Sequence, residues 1–433
     1  MSALEHLPNS DQIGDTGLLR FLTCGSVDDG KSTLIGRLLY DTKTILADTL
    51  HAMERTSARR GHEAVDLSLL TDGLQAEREQ GITIDVAYRY FTTGRRKYII
   101  ADAPGHEQYT RNMVTAASTA NLAIILIDAR KGILTQTRRH SYLAHLVGIP
   151  HIVVAINKMD LVDHDQATYD RICGEYLAFA AKLGIQDVRF IPLSALNGDM
   201  IVDRGEKLGW YTGPTLLDIL EAAPTAHSER DERFRFPVQY VCRPQKSDDP
   251  ALHDYRGFMG RVESGEIKSG DAVIVLPSER RTRIKRIELN GEVLPMAIAE
   301  QSITLLLEDE IDISRGDMIV RADEPAQITR QIDAIVCWLG ESPLDPARKY
   351  LVRQTTRESK AALAGITYRL NINTLEQESA QQLNVNDIAR VSFRLAQPLC
   401  VDRYEDNRST GAFIVIDEAT NNTVGAGMIV AAG

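Results

Sequence analysis

An eight-residue segment near the N-terminus limits the possible folds more than any other feature of this sequence. Residues 25–32 read GSVDDGKS, with an apolar run before them, Leu18–Cys24, and a helical pattern after them, Ser32–Tyr40. The two glycines allow a tight turn that exposes backbone N–H groups, and the following helix adds the positive end of its dipole. A strand, a glycine-rich turn and a helix in this order predict an α/β domain.

Apolar runs and helical patterns alternate along residues 1–225. Five runs rich in Ile, Val and Leu have the composition of strands that are buried on both faces: Leu18–Cys24, Lys97–Ala101, Leu122–Ile127, His151–Ile156 and Arg189–Leu193. Further helical patterns lie between or after them, at Gln108–Ala120, Thr135–Val147, Thr168–Leu183 and Leu216–Ala223. This alternation predicts a mainly parallel sheet with helices on both faces.

The pattern changes after Pro224, where short alternating segments are separated by turn sequences such as Ser-Gly and Asn-Gly. They predict antiparallel strands at Phe236–Cys242, Gly257–Glu263, Ala272–Leu276, Arg283–Leu289, Ser302–Leu307, Gln331–Trp338, Ala362–Leu370, Ile388–Leu395 and Gly411–Ile416. We therefore predict an α/β P-loop domain over residues 1–225, followed by two antiparallel β-barrel domains over residues 226–325 and 326–433.

The glycine-rich loop has the chemistry of a phosphate site. Lys31 supplies a positive charge for the β and γ phosphates of a nucleotide, and the Ser32 hydroxyl is a candidate ligand of Mg²⁺. We assign phosphate binding to the loop and the residue after it: Gly25, Ser26, Val27, Asp28, Asp29, Gly30, Lys31, Ser32 and Thr33.

Three further motifs follow, each at the carboxyl end of a predicted strand. The carboxylate of Asp102-Ala103-Pro104-Gly105 would reach Mg²⁺ through water, and its glycine N–H would contact the γ-phosphate. The carboxylate of Asn157-Lys158-Met159-Asp160 can accept from guanine N1–H and the 2-amino group, a donor pair that adenine lacks. Ser194-Ala195-Leu196 offers a backbone N–H to guanine O6. Because ligands of open α/β sheets bind at these strand ends, the four motifs together predict GTP and Mg²⁺.

The four motifs and the trailing β domains resemble the translation-factor class of GTPases, which includes elongation factor Tu. The segment Arg78–Asp85 resembles a mobile switch segment of that class, and residues 102–109 resemble its second switch, in which a histidine positions the attacking water. The resemblance implies that His106, Lys31 and Thr83 are catalytic, and that Ser32, Thr83 and Asp102 hold the metal.

Within this class, Gly81–Phe91 and the two loops at 25–32 and 102–109 resemble the GTPase subunits of bacterial sulfate adenylyltransferases. Elongation factor Tu typically has His and Thr where this chain has Asp29 and Ser32. The resemblance implies a catalytic partner, the pyrophosphate-loop subunit 2, which makes adenosine 5′-phosphosulfate and pyrophosphate from ATP and sulfate while GTP hydrolysis drives that step. This chain has no Gly-Gly dipeptide and therefore no Ser-Gly-Gly-x-Asp-Ser loop of that partner's kind.

Two other functions stay open at this level. One is a translation factor that carries aminoacyl-tRNA to the ribosome, and the other is a switch that acts only through GTP-dependent association. The basic stretch Arg348–Lys360 lies where elongation factors touch RNA, although we favour a protein contact here. Arg55–Arg60 is interpreted as a solvated face or a partner contact.

Charge and composition limit the partners and the cellular location that we expect for the protein. The net charge of −11 disfavours a broad surface for nucleic acid. The five cysteines are scattered without a C-x-x-C pair, which indicates reduced thiols rather than a zinc site or a disulfide framework. Met1–Thr16 lacks a signal pattern, and no run approaches the roughly 18 apolar residues of a membrane helix. We therefore expect a cytoplasmic protein without a membrane partner, and we expect Trp210 and Trp338 in the core.

Overall fold

A computed structural model describes residues 17–45, 67, 85–106, 110–185, 187–224, 232–244 and 254–433. The chain divides into two compact units, residues 1–225 with 372–375 and residues 226–371 with 376–433. Within the described ranges, no helix is long and apolar enough to cross a membrane. The expected domain boundary at residues 225 and 226 lies outside the described residues, and the division into three domains stays a prediction.

Six strands form the sheet of the first unit: β1 (Leu18–Gly25), β2 (Ala87–Thr92), β3 (Lys97–Asp102), β4 (Leu122–Asp128), β5 (His151–Asn157) and β6 (Val188–Pro192). They lie in the order β2-β3-β1-β4-β5-β6, and every neighbouring pair is parallel except β2 with β3. β4 is buried along its whole length, as expected for a central strand of a covered sheet. The predicted α/β fold with a mainly parallel sheet is confirmed.

The helices described in this unit are α1 (Lys31–Asp41), α2 (Thr110–Ala117), α3 (Thr135–Leu146), α4 (Gln166–Leu183) and α5 (Leu216–Ala222). α4 begins where the Asp165 side chain accepts from the Thr168 amide at 2.8 Å, and it ends at Gly184, whose φ of 74° is left-handed. α5 begins with a capping box between Thr215 and Asp218. Each cap satisfies backbone groups that a helix end leaves without partners.

The predicted strands of this unit agree with the observed ones to within one residue at either end, but β2 was not predicted. Its residues are half-buried or exposed except for Phe91, which is buried, and Tyr88 and Tyr90 lie at the surface. An antiparallel strand at the sheet edge buries little side-chain surface, so it lacks the continuous apolar run that marked the inner strands. β3, β4 and β5 each extend one residue further than predicted, because a polar last residue still pairs through its backbone.

The second unit begins with ten short strands: β7 (Arg235–Pro237), β8 (Tyr240–Cys242), β9 (Gly257–Arg261), β10 (Glu266–Lys268), β11 (Ala272–Leu276), β12 (Arg280–Leu289), β13 (Glu292–Leu294), β14 (Met296–Ile298), β15 (Ser302–Leu307) and β16 (Met318–Arg321). The main sheet runs β7-β16-β11-β12-β15-β9-β8. The single strand predicted at Phe236–Cys242 is wrong, because the Val238 amide donates to Asp317 and the Gln239 amide donates to Met259. At that point the chain passes from one end of the sheet to the other, so the sheet closes on itself.

The unit continues with β17 (Gln327–Trp338), β18 (Tyr350–Gln354), β19 (Arg357–Leu370), β20 (Gln377–Glu378), β21 (Ile388–Val401), a short helix α6 (Arg408–Gly411), β22 (Ala412–Asp417) and β23 (Thr423–Ala432). The order is β18-β22-β23-β17-β21-β19-β20, and a further pairing of β18 with β19 closes six strands into a barrel. All pairs are antiparallel. The predicted antiparallel β-barrels are confirmed.

A buried ion pair joins the two sheets of this unit. Arg235 of β7 is fully buried and donates to both carboxylate oxygens of Asp402, at 2.7 and 2.8 Å. Thr410 also donates to Asp402, at 2.6 Å. Burial alone would raise the pKa of Asp402, but the hydrogen bonds and charge of Arg235 outweigh it and hold the pKa below its usual value. The bidentate geometry compensates both charges where water cannot.

The two tryptophans differ in burial. Trp338 lies in the core of the β17–β23 barrel, as expected. Trp210 is only half-buried, which corrects the expectation of a core residue. Its indole N–H donates to the carbonyl of His164 at 2.8 Å, and its ring packs 5.2 Å from that of Tyr169. An indole at a domain surface keeps its apolar body covered while its N–H finds an acceptor.

Candidate nucleotide-binding site

The glycine-rich loop connects the end of β1 to the start of α1. Asp28 and Gly30 both have left-handed backbones, with φ of 66° and 94°. A Cβ added at Gly30 would lie 2.4 Å from Nδ2 of Asn157, so both its conformation and the space around it require glycine. The Leu34 amide donates to Gly30 at 2.9 Å and starts the helix. The loop therefore has the turn that the GSVDDGKS pattern predicted.

Asp29 lies inside this loop rather than on its surface. Its side chain is buried, and Oδ2 accepts from the Ser26 amide at 2.6 Å. Burial raises the pKa of Asp29, and the Ser26 amide and the charges of Lys31 and Lys131 only partly oppose the rise. The other carboxylate oxygen, Oδ1, has no hydrogen-bond partner among the described residues. An acidic side chain thus helps to shape the candidate phosphate site.

Lys31 places its ammonium group against the loop. Nζ donates to the carbonyls of Gly25 and Ser26, at 3.2 and 3.3 Å, and the residue is buried. A Cβ added at Gly105 would lie 2.6 Å from this Nζ and 2.8 Å from the Gly25 carbonyl oxygen. The backbone of the Asp102–Gly105 motif therefore lies so close to the phosphate loop that a side chain at residue 105 would clash with it.

Asp102, the last residue of β3, lies beside β1. Thr23 donates from its hydroxyl to Oδ1 of Asp102 at 3.3 Å, and the Ala103 amide donates to the Thr23 carbonyl at 3.1 Å. Asp102 through Gly105 are buried, whereas His106 and Ser32 are half-buried. The carboxylate of Asp102 and the hydroxyl of Ser32 are hard oxygen donors of the type that Mg²⁺ prefers, so this donor set fits the predicted metal.

Asn157 connects three of the candidate loops. Its Nδ2 donates to the carbonyl of Asp29 at 2.7 Å, while its Oδ1 accepts from the amides of Lys158 and Ala195 at 2.8 and 3.0 Å. The side chain is buried, so each of these bonds is protected from water. One amide group thus sets the distance between the phosphate loop, the Asn157–Asp160 loop and the Ser194–Leu196 loop.

Asp128, at the end of β4, is a residue of this network that the motifs did not identify. Its fully buried carboxylate accepts two side-chain bonds from Arg130, at 3.0 and 2.6 Å, and lies 3.1 Å from the ammonium of Lys158. Burial alone would raise the pKa of Asp128, but the bonds from Arg130 and Lys158 lower it to about 2. Lys158 also donates to the carbonyl of Asp28. A signal existed in the sequence, because Asp128 ends an otherwise apolar run.

The two base-recognition motifs lie at the ends of β5 and β6. Met159 is buried and donates from its amide to Leu193 at 3.3 Å, which ties the two loops together. Asp160 is half-buried, and no hydrogen bond to its carboxylate occurs within the part of the chain that the structure describes. Ser194 and Ala195 are buried, whereas Leu196 is 65% exposed. Arg37 of α1 donates to the carbonyls of Ala195 and Leu196, a contact that sequence reasoning missed.

Some predictions cannot be placed. Thr83, the rest of residues 78–84, the Glu107–Tyr109 part of the second switch and Arg55–Arg60 lie outside the described residues. The predicted basic stretch Arg348–Lys360 is described, and its cations are mostly paired. Ion pairs link Arg348 to Asp417, Arg353 to Glu358, Arg357 to Asp317 and Lys360 to Glu418.

Comparison with known families agrees with this geometry. Residues 17–225 match the family described as the elongation factor Tu GTP binding domain, and residues 331–430 match the GTP-eEF1A C-terminal domain-like family. The fold and the site define a P-loop GTPase of the translation-factor class.

Full-length relatives narrow the class further. The chain is 55% identical to sulfate adenylyltransferase subunit 1 of Cellvibrio japonicus, over 95% of this chain and 86% of that protein. It is 53% identical to the protein of that name from Laribacter hongkongensis, over 95% and 85%. It is 52% identical to the bifunctional enzyme CysN/CysC of Mycobacterium tuberculosis, over 96% and 67%. The chain belongs to the sulfate adenylyltransferase subunit 1 family.

Proposed function

We propose that this protein is the GTP-hydrolysing subunit of a sulfate adenylyltransferase. GTP hydrolysis here drives the formation of adenosine 5′-phosphosulfate and pyrophosphate from ATP and sulfate by a separate catalytic subunit 2. The observation that carries the proposal is the identity of 51–55% over 95% of the chain with proteins of that family. The side-chain network of Asn157, which joins three of the four candidate nucleotide loops in one unit, supports it.

The phosphate groups of GTP would lie in the glycine-rich loop. Its backbone N–H groups and the N-terminus of α1 offer donors and a positive dipole end, and Lys31 adds a full charge. The ammonium now bonded to the Gly25 and Ser26 carbonyls would turn toward the β and γ phosphates. Asp160 would read the N1–H and 2-amino group of guanine, with Ser194, Ala195 and Leu196 at O6.

Ser32 and Asp102 would hold Mg²⁺, with Thr83 as the third member of the predicted set. Bound by these residues, Mg²⁺ would supply positive charge that neutralises the phosphates of GTP. Thr23 orients the Asp102 carboxylate through the 3.3 Å hydrogen bond, which limits the directions in which it can offer its oxygens.

His106 would orient the water that attacks the γ-phosphate. It follows Gly105, whose backbone lies against the phosphate loop, so its side chain is at the correct end of the sheet for this role. The sequence of the nucleotide loops offers no obvious arginine finger, so intrinsic hydrolysis is expected to be slow until subunit 2 arranges the switch segments. We place the protein in the cytoplasm.

The pairing of the basic stretch favours this function over delivery of aminoacyl-tRNA. Binding to RNA phosphates requires cations that are free to exchange their counterions. Arg348, Arg353, Arg357 and Lys360 are each already paired with a carboxylate. These four pairs present balanced charge rather than a row of free cations, which is compatible with a protein contact.

One assay tests the proposal against translation. GTP hydrolysis is measured for the chain alone, with ribosomes, and with subunit 2 plus ATP and sulfate. We expect strong stimulation only in the last mixture, accompanied by pyrophosphate release. Stimulation by ribosomes alone would refute the proposal.

Two variants test the assigned roles. His106→Ala should retain GTP binding but lose most hydrolysis in the complex, and hydrolysis at the wild-type rate would show that His106 does not position the water. Asp160→Asn should shift base preference from guanine toward xanthine, because an amide donates where the carboxylate accepted. Unchanged base preference would remove Asp160 from the site.

A further inference from the structure

Arg37 connects the helix of the phosphate loop to the candidate guanine-oxygen loop. Its Nε donates to the carbonyl of Ala195 at 3.4 Å, and its Nη2 donates to the carbonyl of Leu196. The guanidinium group thus donates to two consecutive carbonyl groups. A lysine ammonium could not reproduce this planar, two-pronged arrangement.

Two residues of α1 also contact the Arg37 guanidinium and limit its movement. Nη1 lies 3.6 Å from Oδ1 of Asp41, one turn further along α1, and the group lies 5.8 Å from the centre of the Tyr40 ring. The Arg37 side chain is 21% exposed. An arginine fixed on one side by its helix can impose an orientation on the loop at its other side.

The backbone amides of the Ser194–Leu196 loop show what this orientation controls. Four of the five N–H groups of residues 194–198 already have acceptors: Ser194 donates to Asp199, Ala195 to Asn157, Asn197 to the Ser194 hydroxyl and Gly198 to the Ser194 carbonyl. The Leu196 N–H has no acceptor within the described residues. It belongs to the same peptide unit as the Ala195 carbonyl that Arg37 holds. Because that unit is planar and trans, the N–H points away from Arg37.

We propose that Arg37 positions the Leu196 N–H as the donor to the 6-oxo group of a guanine nucleotide. This inference rests on the proposed GTP-binding function. A 6-oxo purine presents an acceptor to that N–H, whereas adenine presents a 6-amino donor. Arg37 is therefore a specificity-determining positioning residue, which acts through the loop and does not itself touch the base.

The test compares nucleotides that differ at the 6-position. The affinities of GDP, IDP and ADP are measured by calorimetry for the full chain and for Arg37→Met, which keeps most of the side-chain volume. IDP retains the 6-oxo group but lacks the 2-amino group. GDP and IDP should each bind about tenfold more weakly to the variant, the equivalent of one well-made hydrogen bond. ADP affinity should not change, so the preference for GDP over ADP should fall about tenfold.

Arg171→Met is the matched control. Arg171 forms an i,i+4 ion pair with Glu175 on α4 at 2.9 Å, as Arg37 does with Asp41, but it holds no loop carbonyl among the described residues. This variant should bind all three nucleotides as the wild type does. Arg37→Lys should lie between Arg37→Met and wild type, because lysine can reach one carbonyl at a time.

The outcomes separate the inference from the function on which it rests. Equal weakening of GDP, IDP and ADP in Arg37→Met would indicate general damage to the site, and unchanged affinities would indicate no role. Either result would overturn the inference. A wild-type chain that shows no preference for GDP over ADP would instead refute the proposed GTP site.

Discussion

The amide nitrogen of Ser26 lies 2.6 Å from Oδ2 of Asp29, so a buried carboxylate closes the loop proposed to bind phosphate. The arrangement gives the loop its shape at an electrostatic cost, because the same loop must attract a triphosphate. Elongation factor Tu, which the chain resembles, typically has histidine at this position. Asp29 is therefore a point at which the loop chemistry of this chain differs from that of elongation factor Tu.

Stability should depend on the ionisation of Asp29. Burial raises its pKa above the ordinary value of 3.8, so the folded chain binds this proton more tightly than the unfolded chain. The stability that this group contributes is present below pH 3.8 and is lost as pH rises through the raised folded-state pKa. Asp29→Asn has no such proton to lose. Its unfolding free energy relative to wild type should therefore increase with pH across that window, as measured by urea denaturation. A difference independent of pH would contradict the burial effect.

Asp128 should matter for nucleotide retention. In Asp128→Asn, Lys158 and Arg130 face a neutral amide instead of the carboxylate that they share, and the Lys158 ammonium loses its ionic anchor. GDP should dissociate about tenfold faster, since a hydrogen bond to a charged group contributes about 1.5–3 kcal/mol. The rate is measured by chasing a fluorescent nucleotide. Asp170→Asn, at an exposed position on α4, should behave as wild type. Equal dissociation rates for the two variants would exclude this role.

Gly105→Ala should obstruct the approach of the second switch to the phosphate loop. The new methyl group would lie 2.8 Å from the Gly25 carbonyl oxygen, which is backbone and cannot move cheaply. We expect GTP hydrolysis with subunit 2, ATP and sulfate to fall at least about tenfold, because misplacement by about 1 Å is costly at a reacting centre. Gly94→Ala is the control, since an added Cβ there meets no atom within 4 Å. Equal activity of the two variants would show that the close approach is unimportant.

The buried pair in the second unit gives a prediction about stability. Arg235→Met leaves the Asp402 carboxylate buried without its cation, and urea denaturation should show a loss of about 3–5 kcal/mol. Asp402→Leu in the same chain should restore much of that loss, because two apolar side chains need no compensation. Lowering the pH should also reduce the stability loss of Arg235→Met. Without the arginine, burial raises the pKa of Asp402, so acid converts the carboxylate to its neutral form. If the free energy of unfolding fell by less than about 1 kcal/mol, Arg235 would not be needed to compensate the buried charge of Asp402.

The order of the motifs along the sequence already determined the architecture of the first unit. Leu122–Ile127 is apolar throughout, so it had to be an inner strand. The polar motifs that follow the other four runs had to lie at one edge of the sheet. β2 was not predicted because an edge strand needs no continuous apolar pattern. The pairing of β18 with β19 that closes the second barrel could not be predicted either, since no local sequence signal specifies which strands pair.

The sequence by itself thus determined the kind of sheet, the phosphate loop and the four motifs. Only the tertiary structure decided how these motifs are held. The contacts that hold them join residues far apart in the chain: Arg37 and Ala195 are 158 positions apart, and Asn157 and Asp29 are 128 apart. The physical reason is that strand order sets which loops become neighbours. A side chain such as Arg37 gains its role from a partner that no local periodicity or spacing reveals.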